Sequence, residues 1–318
     1  MPQGKLVANG DVEIGTFDAL QLALIRTASR VRINGNASLV KGIQATGPGL
    51  VEFLGTTTLS DNASGSLVLV GNATVRNLGT WRYPGGVENR IISLPENGRP
   101  GTGVFENAGV IEQAAGRALT ITCPLRNVGR IIGDRGPVVI DARKTGGSAN
   151  NGAYLPQPGC EFVLNDTPFR QAYAEQLDLA AGTLRGTGSI EPGVAAGDVL
   201  RKVTNRGILR VGNPTGEIFI RAQNFEQTST GETIVTLSAT GSSLLRLRES
   251  VTLAGTLTVE LAPGFTPALG ATFTVINFTG RTGEFQNVNF PDLGAGRKLS
   301  IAYGGTGSGS VVLRVVAQ

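Results

Sequence analysis

A seven-residue pattern, apolar-x-Asn-x-Gly-x-apolar, occurs four times in this chain and restricts its fold more than any other feature. The copies are Val75 to Trp81, Phe105 to Ile111, Leu125 to Ile131 and Val203 to Leu209. Asn77 and Asn107 lie 30 positions apart, and Asn107 and Asn127 lie 20 apart. Spacings of about 20–50 residues are expected when each repeat is one supersecondary unit stacked on the next. The apolar residues at the two ends of each copy would point into a core, with Asn and Gly at the bend between them. Both residue types tolerate positive φ, and the Asn side chain can bond nearby backbone. The pattern therefore predicts a turn ladder of Asn77, Gly79, Asn107, Gly109, Asn127, Gly129, Asn205 and Gly207, with the amides satisfied along a stacking axis. Antiparallel hairpins are the competing arrangement, but two-residue hairpins favour Asn-Gly over Asn-x-Gly.

The sequence between the copies agrees with stacked coils. Short alternating runs at Arg30 to Ile33, Ser66 to Val70, Leu119 to Ile121, Val138 to Ile140 and Glu217 to Ile220 each stop at a polar or turn-forming residue. The 46 glycines follow no three-residue period, which excludes collagen. The fold expected is all-β, a right-handed parallel β-helix. Coils fill residues 1–240 with a loop projecting near 141–158, and final coils with a C-terminal cap fill 241–318. Thr167 to Leu179, with Phe169, Tyr173 and Leu177 four apart, is the one segment that reads as a helix. The last strand, Val311 to Val316, is apolar enough to be an open edge unless something covers it, so a partner or a cap is expected there.

The chain contains no histidine. That excludes Ser-His-Asp, Cys-His and histidine-metal chemistry outright. The net charge of +4 comes from scattered arginines, not from a basic stripe, so nucleic acid is not an expected partner. No cofactor or metal is implied, since the Gly-Gly-x-Gly-x-Asp calcium repeat is absent. No run reaches the length of apolar sequence that a membrane span needs. Met1-Pro2-Gln3-Gly4 lacks the apolar core of a signal peptide, so export would depend on a signal outside this sequence.

Three candidate sites follow. Trp81 and Tyr83 share a strand face, as glycan-stacking aromatics if exposed and as core residues if Trp81 closes its motif inward. Cys123 and Cys160 are spaced to bridge adjacent coils or to stay as two buried thiols. A polysaccharide lyase or hydrolase would draw on Asp141, Arg143 and Lys144, with Glu161 and Asp166 from a neighbouring coil. A solvated loop edge is the alternative reading of those residues.

Gly182 to Ile190, Val203 to Leu209, Gly255 to Val259 and the turn Gly264 to Gly270 before Phe273 to Ile276 carry a resemblance. Over 179–316 the chain resembles the passenger stems of bacterial autotransporters, exported repeat proteins built on a right-handed parallel β-helix. It departs from that pattern in having no outer-membrane barrel after Gln318, and Ser242 to Leu245 where an Asp is common. The resemblance implies a secreted or cell-surface protein with a structural or adhesive role rather than an enzyme. Its expected partners are further copies of itself or surface glycans.

Overall fold

The computed structural model describes residues 5–19, 23–59, 66–83, 89–94, 102–113, 118–141, 161–172, 176–179, 182–192 and 200–318. Every regular element among them is a strand. One coil shows how the chain is wound. Ala23–Thr27, Arg30–Ile33 and Ala37–Leu39 follow one another with only two to three residues at each corner. The next coil, Ile43–Thr46, Leu50–Phe53 and Thr56–Leu59, lays each strand parallel and in register on its counterpart. Parallel strands need a long crossover. Here the other two sides of the coil provide it, so three parallel ladders enclose one core.

Alternation decides which side chains fill that core. In Arg30–Ile33, Val31 and Ile33 are buried while Arg30 and Arg32 face outward. The buried set continues from Ile25 through Leu69, Ile111 and Leu209 to Leu257 as one hydrophobic cluster. The ladders run without interruption past residue 240, where Glu232–Ser238 pairs with Ile208–Val211 on one side and Thr256–Leu261 on the other.

Glu161–Ala172 is not a helix. Its first half pairs with Arg130–Asp134 and its second half with Val138–Asp141, so a single strand rounds a corner. A register shift between Leu164 and Thr167, with Asp166 at φ 48°, makes the bend. Phe169 and Leu177 are both buried, on two successive faces. A spacing of four is even, so it places residues on one side of a strand as well as of a helix. The ladder partners decided between them. The expected loop near 141–158 lies, beyond Asp141, outside the described residues.

The last strand, Gly309–Ala317, is covered by the chain's own cap strands, one of the two covers expected there. It runs antiparallel between Thr272–Phe278 and Arg297–Tyr303, paired on both sides. Val311, Leu313 and Val315 point into the core beneath. Arg297 ties the cap together by donating to the carbonyls of Pro267 at 2.9 Å and Leu293 at 3.2 Å.

Candidate functional site: the stacked columns

Three of the four Asn-x-Gly copies stack on one another, and the fourth, at Asn205, stands in a separate sheet. Asn77, Asn107 and Asn127 occupy one register position on three successive strands. Asn77 Nδ2 donates to Asn107 Oδ1 at 2.7 Å, and Asn107 Nδ2 to Asn127 Oδ1 at 2.5 Å. Each amide also donates to the backbone that leaves the bend, Val110 O from Asn77 and Arg130 O from Asn107. Asn127 closes the column on its own turn, at Gly129 O. All three are fully buried. Buried amides are tolerated only when satisfied, so the column both stabilises the corner and discriminates against other registers.

A second column starts at Asn205, which donates to Gln227 Oε1 at 3.3 Å. Gln227 then donates to the carbonyls of Gly231, Ala254 and Thr256. The Asn-based pattern could not find Gln227. Its one sequence signal is a polar residue at the corner position of the strand Asn224–Gln227, one coil after Asn205.

Beside the asparagines runs a column of glycines. A Cβ on Gly79 would sit 2.1 Å from Gly55 O, on Gly109 2.0 Å from Gly79 O, and on Gly129 2.1 Å from Gly109 O. The column continues back through Gly55 and Gly35 to Gly15 by the same contact. In those earlier coils Ile33 and Phe53 hold the asparagine position. The corner therefore needs glycine in every coil from Gly35 to Gly129, and asparagine only in some.

The outer face carries a feature that along the chain shows only as scattered arginines. Glu13, Arg32, Glu52, Arg76, Glu106 and Arg126 are successive register partners. Their charges alternate without exception. Arg32 Nε lies 3.3 Å and Arg76 Nη1 3.1 Å from the Glu52 carboxylate, and Glu106 receives Arg76 at 2.7 Å and Arg126 at 3.2 Å. Glu52 is covered by its two arginines to 3% exposure. The Glu106 hydrogen bond holds the Arg76 guanidinium above its ordinary pKa, assisted by its bond to Glu52 and opposed by partial burial. The signal was present in the motif copies: Arg76, Glu106 and Arg126 each immediately precede their asparagine.

Trp81 and Tyr83 are core residues and form no glycan platform. Both have no exposed surface. Trp81 is held edge-on between Phe53 and Phe105, with ring centroids 5.0 and 5.6 Å away. Burial pushes the Tyr83 phenol far above its usual value, with the Trp81 indole N–H acting in the opposite direction. Cys123 is a free buried thiol, and burial pushes it up to about 12. Cys160 lies outside the described residues.

The proposed carboxylate set is not brought together. Glu161 is bound between Arg130, at 2.6 Å, and Arg185. Asp166 sits at the bulge and accepts the Thr187 hydroxyl at 2.8 Å. The Asp141 backbone pairs with Ala172, eleven residues along the same strand from Glu161 and on the far side of its corner. Arg143 and Lys144 lie outside the described residues. Among the described residues no group of three acidic or cysteine side chains could hold a metal ion, and no helix is long and apolar enough to cross a membrane.

The chain matches no known protein family and no curated protein.

Proposed function

We propose that this chain is a structural or adhesive rod, an exported β-solenoid displayed at a cell surface. One observation carries the reading. The polar side chains of the described coils are spent on holding successive coils together, the buried amides along one corner and the arginine–carboxylate pairs along the outer face. A catalytic cleft uses its titratable groups differently, converging them on a shared point with displaced pKa values. Here Glu161 and Asp166 are each taken up by neighbours on adjacent coils.

The likeness of residues 179–316 to autotransporter passenger stems supports export and a surface location. The strand ladder that starts at Lys5–Ala8 and ends at Thr272–Phe278 has about twelve rungs, a stack of about 55 Å at ~4.8 Å per rung. Small-angle scattering and negative-stain imaging of the purified chain test the rod. The expected particle has its long dimension set by that stack. A near-spherical particle of the same mass would overturn it. Adhesion is tested by binding to immobilised cell-surface polysaccharides, and light scattering over a range of concentrations decides whether rods also join one another.

A further inference from the structure

We infer that the corner groove around Arg26 is a binding site for carboxylate-bearing sugars of an acidic polysaccharide. The inference deepens the adhesive reading and rests on it. The groove has a volume of about 430 Å³, within the range of about 300–1,000 Å³ typical of ligand sites. Its residues come from four successive coils: Val7 and Asn9 from the first, Arg26 and Thr27 from the second, Pro48 from the third, Asn72 from the fourth. It therefore runs along the solenoid axis for about 14 Å, three rung spacings. An axial groove suits a linear polymer lying along the rod.

Arg26 supplies the charge. Arginines on the outer faces of this chain are commonly paired with carboxylates one rung away, as in Arg32 with Glu52, Arg82 with Glu112 and Arg130 with Glu161. Among the described residues Arg26 has no such partner. Its register neighbours are Val7 on one side and Thr46 on the other, and Val70 follows Thr46. An exposed guanidinium in a concave site, with five donors and no carboxylate in its column, is set up to take a planar anion in two parallel hydrogen bonds.

The rest of the lining selects sugar over peptide. Asn9 and Asn72 are exposed amides, which both donate and accept as sugar hydroxyls do. Val7, half exposed, and Pro48 offer a small apolar wall for the carbon face of a ring. The backbone here is already used: Gly49 N donates to Thr27 O, and Thr102 N to Gly71 O. A peptide that bound by adding a strand would need a free row of these groups. The wall is tight because position 47 is glycine, at φ 92°, where a Cβ would stand 2.5 Å from Thr27 O.

Calorimetric titration of the full chain with galacturonate oligomers, neutral glucan oligomers and polyglutamate tests the inference. The uronate oligomer should bind, the neutral one should not, and added salt should weaken binding. Arg26→Gln should reduce uronate affinity at least about tenfold, the loss of one charge-assisted pair. Asn72→Ala should weaken it by less. Arg248→Gln, far from the groove and facing Glu249, should leave it unchanged. Absence of uronate binding, binding indifferent to Arg26→Gln, or equal binding of polyglutamate would each overturn the inference. A rod in scattering that ignores uronates removes this ligand class and leaves the rod standing. Compact particles whose uronate binding still falls in Arg26→Gln retain the groove and remove the rod.

Discussion

Asn77 lies in register on Phe53, which has no donor to offer, and the Asn77 Oδ1 is buried without a hydrogen-bond partner. The amide column therefore has a polarity. Each asparagine donates forward, and the first one leaves its acceptor unused. Asn205, the first member of the second column, has the same unused oxygen.

This polarity predicts unequal costs for removing two chemically identical residues. In Asn107→Leu, Asn77 keeps only its bond to Val110 O, and Asn127 Oδ1 becomes a second orphan. The expected loss is about 1–3 kcal/mol. In Asn77→Leu the orphan passes from Asn77 to Asn107 and their number does not change, so the loss should be under about 1 kcal/mol. Denaturant unfolding of the two variants measures the difference. Equal losses would show that the column does not act as a directed chain.

The glycine column predicts a positional effect for the smallest side chain. Gly109→Ala places a Cβ 2.0 Å from Gly79 O, a backbone atom at a corner flanked by ladder strands. The expected loss exceeds about 2 kcal/mol. Gly10→Ala meets nothing within 4 Å and should be close to neutral. Thermal melting of the pair is sufficient.

Cys123 predicts a fall in stability at alkaline pH. The native thiol keeps its proton up to about 12, whereas the unfolded thiol loses it near 9. Between these values the unfolded state binds fewer protons, so stability is complete below pH ~9 and declines at up to about 1.4 kcal/mol per pH unit above it. Tyr83, also raised by burial, acts in the same direction above 10. Cys123→Ala should flatten the lower part of the decline. A thiol reagent at pH 8 should label Cys123 only in denaturant.

The single tryptophan makes the core test simple. Trp81, enclosed by Phe53 and Phe105, should emit at short wavelength and resist quenching by iodide until the chain unfolds. Trp81→Ala should cost about 3–5 kcal/mol by opening a cavity between coils. Native emission typical of exposed indole would contradict the packing.

Some of this was legible from the chain itself because stacking repeats a local environment. The corner position recurs in each coil, so the asparagine and glycine recur with it, and identity at a distance becomes visible as a motif. Gln227 and the column from Gly15 to Gly55 escaped that reading because the corner accepts a different polar residue, or Ile33 and Phe53, as long as the glycine stays. The alternating column from Glu13 to Arg126 escaped for another reason. A charge pair between rungs can be seen only after the coils are aligned, and coil length varies as turns lengthen.

The sequence by itself determined that the chain forms short strands with glycine corners, that a ladder of buried amides links successive coils, and that histidine-based chemistry is excluded. Those properties depend on residue type and repeat spacing. Only the tertiary structure decided that Thr167 to Ala172 is strand, that Trp81 and Tyr83 face inward, that the cover over Gly309–Ala317 is the chain's own cap, and that Arg26 stands without a carboxylate among the described residues. Each of these depends on which residue lies one rung above or below. Hydrogen bonding and burial between rungs outweigh the local preferences of the chain, and the varying lengths of the turns set which residues meet.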